Sequence, residues 1–133
     1  METRVIGASL ENLEQMLEFI RDGAQAAGLD ARAVHQLMVA VEEPLMNVIS
    51  YAYPHGNGDV EITQGREEGR GFVIQVIDTG VAFDPLSAPE PDVNAPLEER
   101  KMGGLGIYMM RRMMDEVSYR REQDRNILTL AKR

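Results

Sequence analysis

The chain has 133 residues, a length that suits one domain around one hydrophobic core. It sets 14 Lys and Arg against 22 Asp and Glu, a formal net charge of −8, which argues against direct nucleic-acid binding because that needs a basic field. Cysteine is absent, which excludes a disulfide framework, a thiolate metal site and a thiol nucleophile. No apolar run is long enough to span a bilayer, and "METRVIGASL" lacks a signal-peptide layout, so the expectation is a cytoplasmic protein without a membrane partner.

"RVIGA" (4–8) reads as a short strand. Ser9 then reads as an N-cap, and Leu10, Leu13, Leu17, Ile20 and Ala24 recur at helical spacing until Gly28. Asp30 caps a second helix, about 31–53, whose apolar stripe is Val34, Leu37, Met38, Val41, Leu45, Val48, Ile49 and Ala52. Pro44 falls inside it, where a proline ordinarily costs roughly 3 kcal/mol and kinks the helix. Pro54 and "PHGNGD" are turn chemistry. "DVEIT" (59–63) and "GFVIQVID" (71–78) read as strands joined by the hairpin loop "QGREEGR".

Residues 81–102 hold four of the six prolines and show no periodicity, the mark of a functional or disordered segment. A third helix over about 105–115 places Met109, Met110, Met113 and Val117 on one face, which reads as core packing. "EVSYRREQ" and "RNILTLAK" form a closing hairpin around "DR". This order predicts an α+β fold: a two-layer sandwich with a mainly antiparallel sheet and helices on one face.

Three constellations carry chemistry. In "VEEPLMNVISYAY", Glu43 and Asn47 lie four residues apart on one helix face, away from the apolar stripe. They are either a solvated polar face or a general base beside an amide oxygen suited to a hard cation. In "VIQVIDTGVAFDP" a strong β run ends in Asp78, followed by Thr79 and Gly80. This is either a strand-end turn or a carboxylate that accepts from an exocyclic amine, with Gly80 letting a flat base approach the backbone. In "ERKMGGLGIYMM", Gly103, Gly104 and Gly106 run into a helix, with Arg100 and Lys101 beside them. The glycines are either a flexible turn or a seat for an anion at a helix N-terminus.

In this order and spacing the three motifs resemble the Bergerat-fold (GHKL-type) ATP-binding domain shared by gyrase, histidine kinases and MutL. Glu43-x-x-x-Asn47 is similar to the N-box, Asp78-x-Gly80 to the first glycine box, and Gly103-Gly104-Leu105-Gly106 to the second. Residues 81–102 fall where that family keeps a mobile ATP lid. The resemblance covers nearly the whole of 1–133. It is strongest to anti-sigma-factor serine/threonine-protein kinases of the RsbW and SpoIIAB type, in "DTGVAFDP" and "GGLGIYMMRRMMDEVSY".

The resemblance implies ATP and Mg²⁺ as cofactors. It assigns Asn47 to Mg²⁺, Glu43 to the general base, and Asp78, with Gly80 beside it, to the adenine amine. Gly103, Gly104 and Gly106 would close over the phosphates, and Arg100 or Lys101 would neutralise charge on the γ-phosphate. Thr129, on the final strand, would make a water-mediated adenine contact. The implied function is phosphorylation of a serine or threonine on a STAS-type anti-sigma-factor antagonist, with sequestration of a sigma factor, by a homodimer. The alternative is an ATP-binding partner-switching module without phosphotransfer. A histidine-kinase reading would need a helical hairpin with a phospho-accepting His, whereas His35 and His55 read as helix-surface and turn residues. The chain departs from the family in "NVISYAY", which has Val48 and Tyr51 where members often carry Ala and His, and in Pro44 directly after the proposed base.

Overall fold

The computed structural model describes residues 1–87 and 104–133. Its elements run β1 (Glu2–Gly7), α1 (Leu13–Ala26), α2 (Ala31–Asn47), β2 (Asp59–Glu67), β3 (Gly71–Asp78), α3 (Gly104–Met113), β4 (Glu116–Glu122) and β5 (Arg125–Lys132). The five strands form one sheet in the order β1-β2-β3-β5-β4, every pair antiparallel. The α+β sandwich expected from the element order is the fold observed.

The apolar runs of β3, rich in Val and Ile, and of β5 lie inside the sheet, where neither strand leaves an open edge. On one face Phe72, Ile74 and Val76 of β3, Leu128 and Leu130 of β5, and Val60 and Ile62 of β2 pack under the helices. The helices contribute Met16 and Ile20 from α1, Leu37, Val41 and Leu45 from α2, and Met110 from α3. Each such side chain contributes about 1.5–3 kcal/mol when fully buried. Val73, Ile77, Ile127 and Ala131 are also buried, but their positions alternate with the core residues and they lie on the opposite face.

Several boundaries differ from the sequence reading, each for a local reason. A 3₁₀ turn at Leu10–Asn12 precedes α1, and Ser9 makes no side-chain cap. That turn rotates Leu10 out of the stripe and leaves it 65% exposed. Strand β2 runs four residues past the expected end at Thr63, because Gln64–Glu67 pair with Gly71–Ile74. Gln64 is buried under α1 where Gly23 has no side chain, and its Nε2 donates to the Phe19 carbonyl at 2.9 Å. The hairpin loop therefore shrinks to 68–70, with a positive φ at Gly69 within it and at Gly71 directly after it.

The second helix is α-helical only to Asn47, and its last turn, Val48–Ala52, widens to a π-helix. Pro44 sits inside α2 and offers no N–H to the preceding turn. Further on, the Val48 N–H is shared between the Leu45 and Pro44 carbonyls. The π turn delivers the Ala52 carbonyl to the exit of β3, where the Val81 N–H donates to it at 2.9 Å.

Among the side chains described on α3 and just after it, the buried ones are Ile107, Met110 and Met114. Met109 and Met113 are only partly buried, and Val117 belongs to β4. The Lys132 ammonium donates to the Met113 carbonyl at 2.7 Å and caps this helix end. The β4–β5 turn is Gln123–Asp124, one residue before the expected "DR". Both residues have positive φ, 52° and 62°, the signature of a two-residue I′ turn, so Arg125 is left to pair with Glu122.

Candidate functional site

A cleft enclosing about 450 Å³, its open mouth included, lies between the end of α2, the π turn and the strands β3, β5 and β4. Val48, Ala52, Val76 and Leu128 make its apolar lining, and Tyr51, Phe83 and Tyr119 bring aromatic rings to it. Asp78 and Asn126 are its buried polar groups, 7% and 6% exposed. They are direct partners across β3 and β5, so their side chains share one face of the sheet.

The Asp78 carboxylate is oriented by its neighbours. Its Oδ1 accepts from the Gly80 N–H at 2.9 Å and from Asn126 Nδ2 at 2.9 Å. Among the described residues no hydrogen bond reaches Oδ2. The Asn126 amide is saturated. Nδ2 also donates to the Val81 carbonyl at 2.8 Å, while Oδ1 accepts from the Tyr119 hydroxyl at 2.5 Å and from the Phe83 N–H at 3.3 Å. Both donors and both lone pairs of the amide are thus used.

Gly80 has a packing role. A Cβ there would strike the Ala52 carbonyl group of the π turn. The glycine therefore lets the β3 exit close on α2's extension. Tyr53 staples the same corner: its hydroxyl donates to the Asp59 carbonyl at 2.5 Å and accepts from the Thr79 N–H at 3.0 Å.

The second group of polar residues lies where α2 meets α3. Glu43 is half-buried, and a Cβ on Gly106 would collide with its carboxylate. Burial raises the Glu43 pKa from the ordinary 4.5, the hydrogen bond from Asn47 draws it partly back, and Glu42 pushes it up. Pro44 and Asn47 both line the cleft that holds Asp78, so α2 links the two groups.

The structure thus brings together Glu43, Asn47 and Gly106 at one end, and Asp78 and Gly80 at the other. Gly104 is the first residue of α3. Arg100, Lys101 and Gly103 lie outside the described residues, as does most of the expected lid; of that segment, 81–87 is described, ending in a 3₁₀ turn at Pro85–Ser87. Arg111 donates to the Leu86 carbonyl at 2.5 Å and ties this turn to α3.

Thr129 is a correction. It pairs with Gln75, whose Nε2 donates to its hydroxyl at 3.2 Å. An odd step from Asn126 puts it on the face away from the helices and away from the cleft. The β5 polar residue that lines the cleft, opposite Asp78, is Asn126, which sequence reasoning missed. Once the structure places Leu128 and Leu130 in the helix-facing core, parity assigns the faces: Asn126 shares theirs and Thr129 does not.

A narrow apolar cleft with aromatic walls and one carboxylate at its floor suits a flat heteroaromatic ring bearing a hydrogen-bond donor. Fold and cleft together define an α+β sandwich domain with an open cleft beside its inner strands. Residues 6–132 match the profile of the histidine kinase-like ATPase domain, and the chain belongs to that family.

Among relatives, the serine/threonine-protein kinase BtrW of Bordetella bronchiseptica is 32% identical over 100 residues, 75% of this chain and 70% of that protein. The serine-protein kinase RsbW of Bacillus cereus is 28% identical over 99 residues, 71% of this chain and 61% of that protein. Among solved structures, the histidine kinase domain of a blue-light activated histidine kinase from Erythrobacter litoralis superposes with a TM-score of 0.58 at 15% identity. That superposition covers 92% of this chain and 59% of the other and speaks to the fold alone.

Proposed function

We propose that the chain binds ATP with Mg²⁺ in this cleft and transfers the γ-phosphoryl group to a serine or threonine of a partner protein. The observation that carries the reading is the arrangement along α2: Asn47 lines the cleft floored by Asp78, and one turn earlier Glu43 faces Gly106 of α3. Kinase names among the relatives support it. The Asp78 carboxylate would accept from the adenine amine, and the rings of Tyr51, Phe83 and Tyr119 would flank the base.

At the other end Glu43 is the proposed base. It would take the proton of the attacking hydroxyl, and its burial, by raising its pKa, strengthens it for that task. The N-terminus of α3 carries partial positive charge and bare backbone N–H groups, a seat for phosphate. Gly103 and Gly104, with Arg100 or Lys101, complete the proposed phosphate contacts.

Among the described residues no three His, Cys, Asp or Glu converge on a metal position. The Asn47 side-chain oxygen, at the wall of the cleft, would hold a Mg²⁺ together with phosphate oxygens and water. When bound, the ion would neutralise charge on the transferring group.

By the same resemblance, the partner is a STAS-type antagonist, a sigma factor is the sequestered regulator, and the working form is a cytoplasmic homodimer. Incubation with labelled ATP, Mg²⁺ and candidate STAS proteins tests the reading. A phosphate mass shift on an antagonist serine or threonine is the expected result. Tight ATP binding with no transfer to any of them would leave the partner-switching module in its place.

A further inference from the structure

We infer that Asn126, held by Tyr119, is the residue that makes the cleft select adenine over guanine. The inference rests on the proposed placement of the base against Asp78, and its argument is one of lone pairs. A carboxylate has two oxygens and about four acceptor positions. With both oxygens open it can receive a fork of two parallel N–H donors. Guanine presents such a fork at N1–H and its amino group, whereas the adenine edge offers a single exocyclic amine. In this cleft Oδ1 already accepts twice, from Gly80 N–H and from Asn126 Nδ2. Only Oδ2 is left to meet a ligand, so the carboxylate accepts one donor well and a fork poorly.

Asn126 is the part of this arrangement that a side chain controls. Its amide cannot rotate, because Tyr119 hydroxyl and Phe83 N–H hold Oδ1 while Asp78 and the Val81 carbonyl hold Nδ2. A rotated amide would set its oxygen against the Asp78 carboxylate and against the Val81 carbonyl, acceptor against acceptor. The Tyr119 hydroxyl therefore fixes the sense of the amide, and the amide fixes which carboxylate oxygen is free. Asn126 acts through Asp78 and is a positioning residue. It also pins Val81 and Phe83, both at the cleft wall.

Calorimetric titration of the full chain with Mg·ATP and with Mg·GTP tests the inference, with the ratio of the two dissociation constants as the readout. Asn126→Ala opens a lone pair on Asp78 Oδ1. It is expected to weaken ATP about tenfold and to reduce the GTP/ATP ratio about tenfold, more than loss of packing alone would move it. Tyr119→Phe keeps the ring and removes one hydrogen bond, and is expected to reduce the ratio roughly 2–10-fold. It keeps the test decisive if Asn126→Ala does not fold. A folded variant that loses affinity for both nucleotides equally, with the wild-type ratio intact, overturns the inference. Wild-type protein that binds neither nucleotide overturns the reading of the cleft beneath it, a distinct result.

Discussion

The two ends of the site are built differently. Around Asp78 the carboxylate's Oδ1, the Asn126 amide, the Tyr119 hydroxyl and backbone groups of 80–83 form one network, and among the described residues only Oδ2 is left open. Around Glu43 the structure is looser. A half-buried carboxylate leans on its neighbour Asn47 and on the bare backbone of Gly106. A network tied at every atom but the one left for a ligand fixes a geometry before that ligand arrives. A half-buried acid with a raised pKa is a strained arrangement of the kind found at reacting centres. Under the proposed function, the first end recognises and the second reacts.

The largest effect that would sharpen this contrast belongs to the reacting end. Glu43→Ala is expected to cut phosphotransfer by roughly 10²–10⁴-fold, the usual worth of a positioned base, while ATP affinity stays nearly unchanged. Quenched-flow or gel-based transfer assays beside calorimetry would show the split. Equal transfer by the variant and the wild type would remove Glu43 from the chemistry. Asp78→Asn should do the opposite. It turns an acceptor into a donor and is expected to weaken ATP by about 5–150-fold, equivalent to about 1–3 kcal/mol. Unchanged affinity would take Asp78 out of the base pocket.

The glycines divide in the same way. An alanine Cβ at position 80 meets the Ala52 backbone, which cannot give, so Gly80→Ala is expected to cost about 1–3 kcal/mol in urea unfolding. At position 106 the obstacle is the end of the Glu43 side chain, which can swing aside. Gly106→Ala is therefore expected to cost less stability than Gly80→Ala but to impair transfer. If the two variants show equal losses of stability, the contrast between a packed corner and an adaptable one fails.

The smallest expected effect concerns pH. The Glu43 pKa is raised in the folded state above the ordinary 4.5, chiefly by burial. The folded state then favours the protonated acid. Stability from this group is full below the unfolded pKa and is lost as pH rises through the folded value. Glu43→Gln should accordingly be more stable than wild type at pH 7, with the difference closing in acid. Melting curves across pH 3–8 would check the sign, and a variant less stable than wild type at neutral pH would reverse it.

Much of the fold was legible because hydrophobic period and turn chemistry agreed. Asp30 caps α2 through a bond to the Ala33 N–H at 2.8 Å, Gly28 ends α1 at a φ of 91°, and both hairpins form. The π turn was not legible. Val48, Ile49 and Ala52 keep an apolar pattern whether the helix has 3.6 or more residues per turn, and only contact with the Val81 N–H distinguishes the two.

Glu43, Asn47, Asp78 and Gly106 stood out because each belongs to a short motif. Asn126 belongs to none. Its meaning arises from the register that sets it opposite Asp78. The misplaced Thr129 has the same origin. Strand β5 is buried on both faces, so Ile127 and Leu128 are equally apolar and the alternation that would have shown the face is absent.

The central claim is that adenine nucleotide sits against Asp78. Titration of ¹⁵N-labelled protein with Mg·ATP, followed by amide shifts in two-dimensional NMR, tests it most directly. The account predicts saturable shifts concentrated at the Asn126 side-chain amide and the backbone N–H groups of Gly80, Val81 and Phe83, with those of Gly104 and Gly106 following, and the first group weakened in Asp78→Asn. Saturable shifts confined to the far hairpin at Glu67–Gly71, or no shifts at millimolar nucleotide, would contradict it.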